Sequence, residues 1–332
     1  MNSMSSNPSV SIVTRTPGLD YGAIEAVVTV PTFKRPDLVM ETMESLQKQK
    51  TDRRFAIIVM DNDAEKREGS EAVKPLFDGG DLTGIVLIAH NRGNCQAYNA
   101  GWETAVAYFP NFKHLLVIDD DEVADPNWLE QMCATAERFG VDVVGGPQLP
   151  VFTDPQHEGW ARHPIFTPHY DSTGVVPVLY SSGNLLVSRK VLTEMPTPYF
   201  DLKFNFMGGG DSDLLSRIIQ KGFRLAWCQE AVVSEVVPAR RLEADWIRNR
   251  SLRNGVISTL VEKRKRADEP LGNVRVVAKS LALLAASAPR GLLKLLRTGS
   301  LSIALYPVYI AIGRILAEFG YANEQYRNAE KN

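Results

Sequence analysis

The sequence predicts an α/β fold: a doubly wound, mostly parallel central sheet with helices on both faces, followed by a helical C-terminal region. Three observations predict it. Short β-branched apolar runs recur through the first half of the chain, and several end abruptly in polar clusters. Segments with helical spacing separate them, the alternation that builds parallel sheets with right-handed crossovers. After residue 240 the composition turns basic and then apolar.

In chain order, residues 1–24 are polar, Ser- and Pro-rich, without the apolar core of a signal peptide, and read as a mobile tail. Glu25–Pro31 reads as a first strand. Asp37–Gln49 follows with helical spacing through Leu38, Met43 and Leu46, and Asp37 is placed to cap it. Phe55–Met60 and Ile85–Ala89 are buried strands, ending at Asp61-Asn62-Asp63 and at His90-Asn91-Arg92-Gly93. A helix from about Asn94 to Tyr108 leads to the strand Leu115–Ile118. That strand runs directly into Asp119, Asp120, Asp121 and Glu122. Trp128–Phe139 is helical and Val141–Gly145 is a further strand.

Residues 146–178 form a long irregular loop with Trp160, and loops of this length inside a compact domain are usually functional or mobile. Ser182–Val187, Phe223–Trp227 and Ala231–Val237 read as later strands, and Ser212–Gly222 as a helix after the glycines 208–210. Arg240–Arg266 reads as a long basic helix. Three domains are expected: the tail 1–24, a catalytic domain 25–239 (halves of about 25–146 and 147–239), and the helical region 240–332.

The 332 residues carry a net charge of −2, so no general polyanion-binding character and no nucleic-acid partner are expected. Cys95, Cys133 and Cys228 fit neither a zinc pattern nor a disulfide framework, which points to a reducing compartment. No G-x-G-x-x-G follows the first strand and no G-x-x-x-x-G-K-[ST] occurs, which argues against dehydrogenases and P-loop enzymes. Ligand sites in open α/β sheets lie at the carboxyl ends of the strands, where the polar clusters fall. Close carboxylates repel one another unless a cation relieves them, and hard oxygen donors suit Mg²⁺ or Mn²⁺. The alternative for 119–122 is a solvated acidic loop at a helix start; for Asp61 a plain turn former; for Asp211 an N-cap. His163 is expected at the surface or against an acceptor.

Five segments in order resemble a family 2 glycosyltransferase with the GT-A fold: 28–49 (VTVPTFKRPDLVMETMESLQKQ), 59–63 (VMDND), 91–101 (NRGNCQAYNAG), 117–123 (VIDDDEV) and 208–227 (GGGDSDLLSRIIQKGFRLAW). The later Arg-rich region resembles bacterial exopolysaccharide-type inverting transferases. The resemblance implies that Pro31, Thr32, Phe33 and Arg35 flank a nucleotide and that Asp61 accepts a hydrogen bond from uracil. Asn91, Arg92 and Gly93 would line the base and ribose. Asp119, with Asp120, would face the donor and Asp121 would hold Mg²⁺ or Mn²⁺. Asp211 would be the catalytic base and Asp213 would support its loop. Here Gly210 stands where relatives often carry Glu, and Glu235 stands near the place of a metal-binding His, so Glu235 is a second metal candidate. Trp160, Arg248 and Arg250 are candidates for acceptor or diphosphate contacts.

The implied reaction is transfer of a hexose from a UDP-sugar to a lipid-linked saccharide, by single displacement to a β-glycoside, in bacterial polysaccharide synthesis. The alternatives are a sugar nucleotidyltransferase and a non-catalytic membrane-bound scaffold of the same fold. The apolar pieces 276–288 and 300–313, with flanking Arg290, Lys294, Arg297 and Arg314, predict helices lying in a membrane interface. Lys263-Arg264-Lys265-Arg266 would face anionic lipid. The expected place is the cytoplasmic face of the cell membrane.

Overall fold

The computed structural model describes residues 9–321. Its first part is β1 (Val10–Arg15), β2 (Ala26–Thr32), α1 (Pro36–Gln47), β3 (Phe55–Asp61), α2 (Glu68–Asp78), β4 (Gly84–Ala89), α3 (Asn94–Tyr108) and β5 (His114–Val117). Next come β6 (Glu122–Ala124), α4 (Trp128–Phe139), β7 (Val143–Gly145), β8 (Gln148–Val151), β9 (Gly174–Val176), β10 (Leu185–Ser188), α5 (Arg189–Glu194) and α6 (Gly210–Gln220). The chain continues through β11 (Leu225–Trp227), β12 (Val233–Val236), α7 (Ala244–Lys265), α8 (Gly272–Thr298) and α9 (Leu301–Glu318).

The main sheet has nine strands in the order β1-β4-β3-β2-β5-β10-β7-β11-β9, and β6-β12-β8 form a small second sheet. Strands β4, β3, β2 and β5 are parallel, as expected. Beyond them the sheet is mixed, because β10 runs antiparallel to both β5 and β7. Residues 10–15, expected within a mobile tail, instead form β1, which covers the free edge of β4 antiparallel; residues 1–8 of that tail lie outside the described residues. The alternation along β1, Val10 and Ile12 against one side of the sheet and Val13 against the other, is the signal that composition hid.

The central strands bury both faces. Val27, Ile58 and Val117 join the core beneath α3 and α6, while Val28, Ile57 and Leu116 join the core beneath α1, α2 and α4. This explains why they read as continuous apolar runs rather than alternating ones. Helix α1 begins at Pro36 after Arg35, so Asp37 sits in its first turn and is not its cap. Helix α2 was not expected from the sequence.

The expected basic helix is α7, preceded by a 3₁₀ turn over residues 239–242. Helices α8 and α9 are each long and apolar enough to cross a membrane by length and composition. They pack on each other and α9 packs along α7. The crossing of α7 and α9 is close: a Cβ on Gly255 would lie 2.2 Å from the Ile310 carbonyl oxygen, and one on Gly313 would lie 2.0 Å from that of Leu252. Arg314, expected as a flanking cation, is instead 2% exposed between these helices. It is paired to Glu262 at 2.8 Å and donates to Ser258 and Ser280. Three cations of the expected lipid-facing block are likewise paired within the chain: Lys263 with Glu318, Arg264 with Asp201 and Asp213, Arg266 with Glu262 and Glu269.

Candidate active site

The site is built where β5 ends. Past Val117 the chain turns at residues 120–121, with the Glu122 N–H donating to the Asp119 carbonyl at 3.3 Å. Asp119 and Asp121 are half-buried, whereas Asp120 and Glu122 turn inward and are buried. The inward pair holds the turn. Asp120 accepts from the Thr32 hydroxyl at 2.8 Å and from Arg35 at 3.2 Å. Glu122 accepts from the Asp119 backbone N–H at 3.0 Å and from the Gln148 amide. Asp119 accepts from the Tyr98 hydroxyl at 2.6 Å, and Asp121 accepts from Arg35 at 2.9 Å.

Strand β12 brings a further carboxylate. Glu235 lies beside Asp121, and Arg241 contacts both, at 3.6 Å from Asp121. Asp120, Asp121 and Glu235 are thus paired to two guanidinium groups, Arg35 and Arg241. Burial is the main cause that raises Asp119, Asp120, Glu122 and Glu235 above their ordinary values; repulsion from Asp121 adds to it, and for Glu122 repulsion from Asp119 adds more. Among the described residues, no three His, Cys, Asp or Glu side chains are already gathered as a metal cage. The donor chemistry nevertheless fits a hard divalent cation: oxygens of Asp121 and Glu235 are aimed at one positive group, the Arg241 guanidinium.

The ends of β2, β3 and β4 form the neighbouring wall. Pro31 is half-buried and pairs with Met60 across the sheet. Phe33 has the guanidinium of Arg92 5.2 Å from its ring centre, with Lys34 at the same distance. Asn91 and Arg92 are exposed, and Gly93 opens α3. Asn62, not singled out from sequence, ties this wall together. It donates to the Ala89 and Asn91 carbonyls at 2.9 and 2.8 Å and accepts from the Gly93 N–H at 2.6 Å. Asp61 is 0% exposed. Its oxygens accept from the Asp63 and Ser70 N–H groups, at 2.9 and 2.7 Å, so its carboxylate organises the start of α2.

On the other side stands α6. Its N-cap is Gly209, at φ +88°, where a Cβ would lie 2.5 Å from Ile257 of α7. Only glycine provides both that backbone conformation and that approach. Asp211 is therefore inside the first turn and is not the cap. It accepts from the Ser212 N–H at 2.7 Å; burial raises its pKa, and Arg250 of α7 pulls the other way. Asp213 faces away from solvent, paired to Arg217 at 2.8 Å and to Arg264 at 2.9 Å, so it fastens α6 to α7.

The first turns of α3 join the two sides. Cys95 packs on Gly210, one residue before Asp211, with 2.8 Å between its sulfur and a Cβ built there, and Tyr98 reaches Asp119. Positions three apart share one helix face, so a single face of α3 touches both Asp119 and Gly210, the residue before Asp211. The sequence segment 91–101 contains both residues, but nothing in it marks Tyr98 as the partner of Asp119.

The basic candidates separate. Arg241 and Arg250 face carboxylates of the site, whereas Arg248 pairs with Asp245 at 3.2 Å on the surface. Trp160 is half-buried in a 3₁₀ segment, 5.8 Å from the ring of His163. His163 is buried rather than at the surface, with Tyr306 of α9 5.6 Å away, and burial lowers its pKa to about 4. Phe166 stacks on Trp246 of α7 at 6.4 Å. The long loop is thus docked on the C-terminal helices. Trp227 is core.

The arrangement has known counterparts. Mannosyltransferase PcManGT from Pyrobaculum calidifontis, solved in complex with GDP-Man and Mn²⁺, superposes with a TM-score of 0.54 at 17% identity, covering 91% of this chain and 89% of that one. S. aureus TarS 1–349 in complex with UDP superposes with a TM-score of 0.52 at 13% identity, covering 90% and 92%. These likenesses establish a GT-A fold. In sequence, the succinoglycan biosynthesis protein ExoM of Rhizobium meliloti is 28% identical over 236 residues, 69% of this chain and 72% of that protein. The profile of glycosyl transferase family 2 matches residues 27–195, just over half of the chain, from β2 past the end of α5. Since that match runs through the strands on which the β5 carboxylates are mounted, the chain belongs to glycosyl transferase family 2 and is a glycosyltransferase.

Proposed function

We propose that this glycosyltransferase moves a hexose from a UDP-sugar to a hydroxyl of a lipid-linked saccharide during synthesis of a bacterial polysaccharide. The observation that supports the proposal is that one face of α3 touches both Asp119, through Tyr98, and Gly210, the residue before Asp211. On this reading a proton acceptor and a site for a diphosphate leaving group stand on either side of that helix face. Likeness to a succinoglycan biosynthesis protein supports the polysaccharide, and likeness to a UDP complex supports the donor.

On this reading Thr32, Phe33, Arg35, Asn91, Arg92 and Gly93 hold the nucleotide, and Asp61 shapes their wall. Asp119 faces the donor, fixed by Tyr98, while Asp120 positions Arg35. Asp121, with Glu235, would hold Mg²⁺ or Mn²⁺. The bound cation supplies charge neutralisation to a diphosphate leaving group. Asp211 removes the proton of the acceptor hydroxyl as its oxygen bonds to the anomeric carbon. The bond from that carbon to the diphosphate oxygen breaks with its electron pair, so UDP leaves and the centre inverts. A carboxylate raised by burial is a stronger base than a solvated one, which suits this step. Arg250 opposes the rise that burial causes at Asp211, and Arg241 would meet a phosphate once a cation takes its carboxylates.

The catalytic domain would comprise residues 25–239, with a nucleotide-sugar half of about 25–146, and residues 240–332 would hold it to the cytoplasmic face of the membrane. Helix α9 is bound along α7, which carries charge in its first and last turns, so α8 and α9 are read as lying on the bilayer rather than crossing it.

A panel of nucleotide sugars with Mn²⁺, Mg²⁺ or a chelator tests the reaction. Slow metal-dependent release of UDP from one donor is expected, and its loss in Asp121→Ala. Folded protein that binds and hydrolyses no nucleotide sugar would overturn the proposal.

A further inference from the structure

Most basic side chains of the C-terminal helices are paired, as shown for Lys263, Arg264, Arg266 and Arg314. Arg275 and Lys279, near the start of α8, also have carboxylate partners. The far end of α8 differs. Arg290, Lys294 and Arg297 have no ion-pair partner among the described residues, and neither does Arg162 of the docked loop. These four cations line one open pocket of about 350 Å³, with Leu293 and Ile303 among its apolar walls.

Positions 290, 294 and 297 share one face of α8, and like charges so spaced destabilise a helix unless an anion lies among them. Leu293 lines the pocket, and Leu292 and Leu296 of α8 and Leu301 of α9 are largely uncovered on the same two helices, Leu296 to 76%. An anion-attracting pocket on helices that also expose leucines matches the two layers of a bilayer surface, phosphate above acyl chain. We infer that Arg162, Arg290, Lys294 and Arg297 form a binding site for the phosphate headgroups of anionic phospholipids, through which the protein sits on its membrane. This rests on the membrane-surface reading above and deepens it. Because Arg162 directly precedes His163, which packs on Tyr306, an occupied pocket also clamps the long loop to α8 and α9.

The test uses the full chain and vesicles of phosphatidylcholine alone or mixed with phosphatidylglycerol. Wild type is expected to bind the mixed vesicles more tightly. The triple variant Arg290→Gln, Lys294→Gln, Arg297→Gln is expected to lose about 100-fold in that binding. Release of UDP from donor in solution should be unchanged, which reports that the variant is folded. A triple variant that binds like wild type would overturn the pocket and leave the membrane reading standing. Wild type that binds neither vesicle would overturn both, while the transferase reading keeps its own assay. Release from mixed vesicles by millimolar inorganic phosphate, but not by chloride of equal ionic strength, would assign the pocket to free phosphate and overturn the lipid assignment.

Discussion

At the scale of single residues, Asp211 carries the sharpest expectation. Asp211→Asn should lower kcat by about 10²–10⁴-fold, the usual contribution of a positioned base. Burial raises the pKa of Asp211, so the acid limb of the pH–rate profile should lie above the ordinary carboxylate value of about 3.9. The sign for stability follows. A raised carboxylate binds its proton more tightly in the folded state, so its contribution is full at low pH and is lost as pH rises through the folded pKa. Asp211→Asn should therefore melt at the same or a higher temperature near neutral pH; a variant both inactive and strongly destabilised would point to a structural role. Tyr98→Phe should act through Asp119, which it fixes at 2.6 Å. About 10-fold more donor should then be needed for half-maximal UDP release, the usual loss for a hydrogen bond to a charged group. An unchanged KM for the donor would detach Tyr98 from the site. The acidic cluster was legible because an apolar run breaks into four acids within one strand length. The burial of Asp61 was not, because it depends on Ser70 in α2, a helix that no motif announced.

Among elements, what could be read was whatever local pattern fixes. Strands β2 to β5 and helices α3 and α4 follow from runs and periodicity. The antiparallel entry of β10 between β5 and β7 does not, since pairing direction is set by distant partners. The α7–α9 crossing was hidden in the same way: nothing in the sequence marks Gly255 and Gly313 as the points of closest approach. Helix propensity alone says Gly313→Ala should stabilise by about 1 kcal/mol. A Cβ there would meet the Leu252 carbonyl oxygen at 2.0 Å, and backbone cannot rotate away. Overpacking of this kind costs about 1–3 kcal/mol. Thermal unfolding decides by sign: a lower midpoint is expected, and a higher one would mean that the helices do not cross so closely.

For the whole molecule, a net charge of −2 conceals strong segregation. Carboxylates crowd the cleft at the end of β5, while unpaired cations gather at the far end of α8. Charge sums over the sequence carry no such information, because they ignore which groups are already paired. The segregation predicts that two ligands act at two places. A divalent cation that binds only the folded cleft stabilises the protein by mass action, about 2.7 kcal/mol at a concentration of 100 times its Kd. Mn²⁺ added with UDP should raise the unfolding midpoint by several degrees, and chelator should reverse the rise. Asp121→Ala should abolish the Mn²⁺ effect, because Glu235 alone stays paired to Arg241 and the carboxylates at 119, 120 and 122 are held by Tyr98, Arg35 and Gln148. The triple variant in α8 should retain it, since its changes lie outside the cleft. A midpoint indifferent to Mn²⁺ with UDP present would remove the cation from this enzyme and leave Arg35 and Arg241 to meet the diphosphate. Equal shifts in wild type and Asp121→Ala would instead move the cation elsewhere, and with it the proposed role of the Asp121–Glu235 pair.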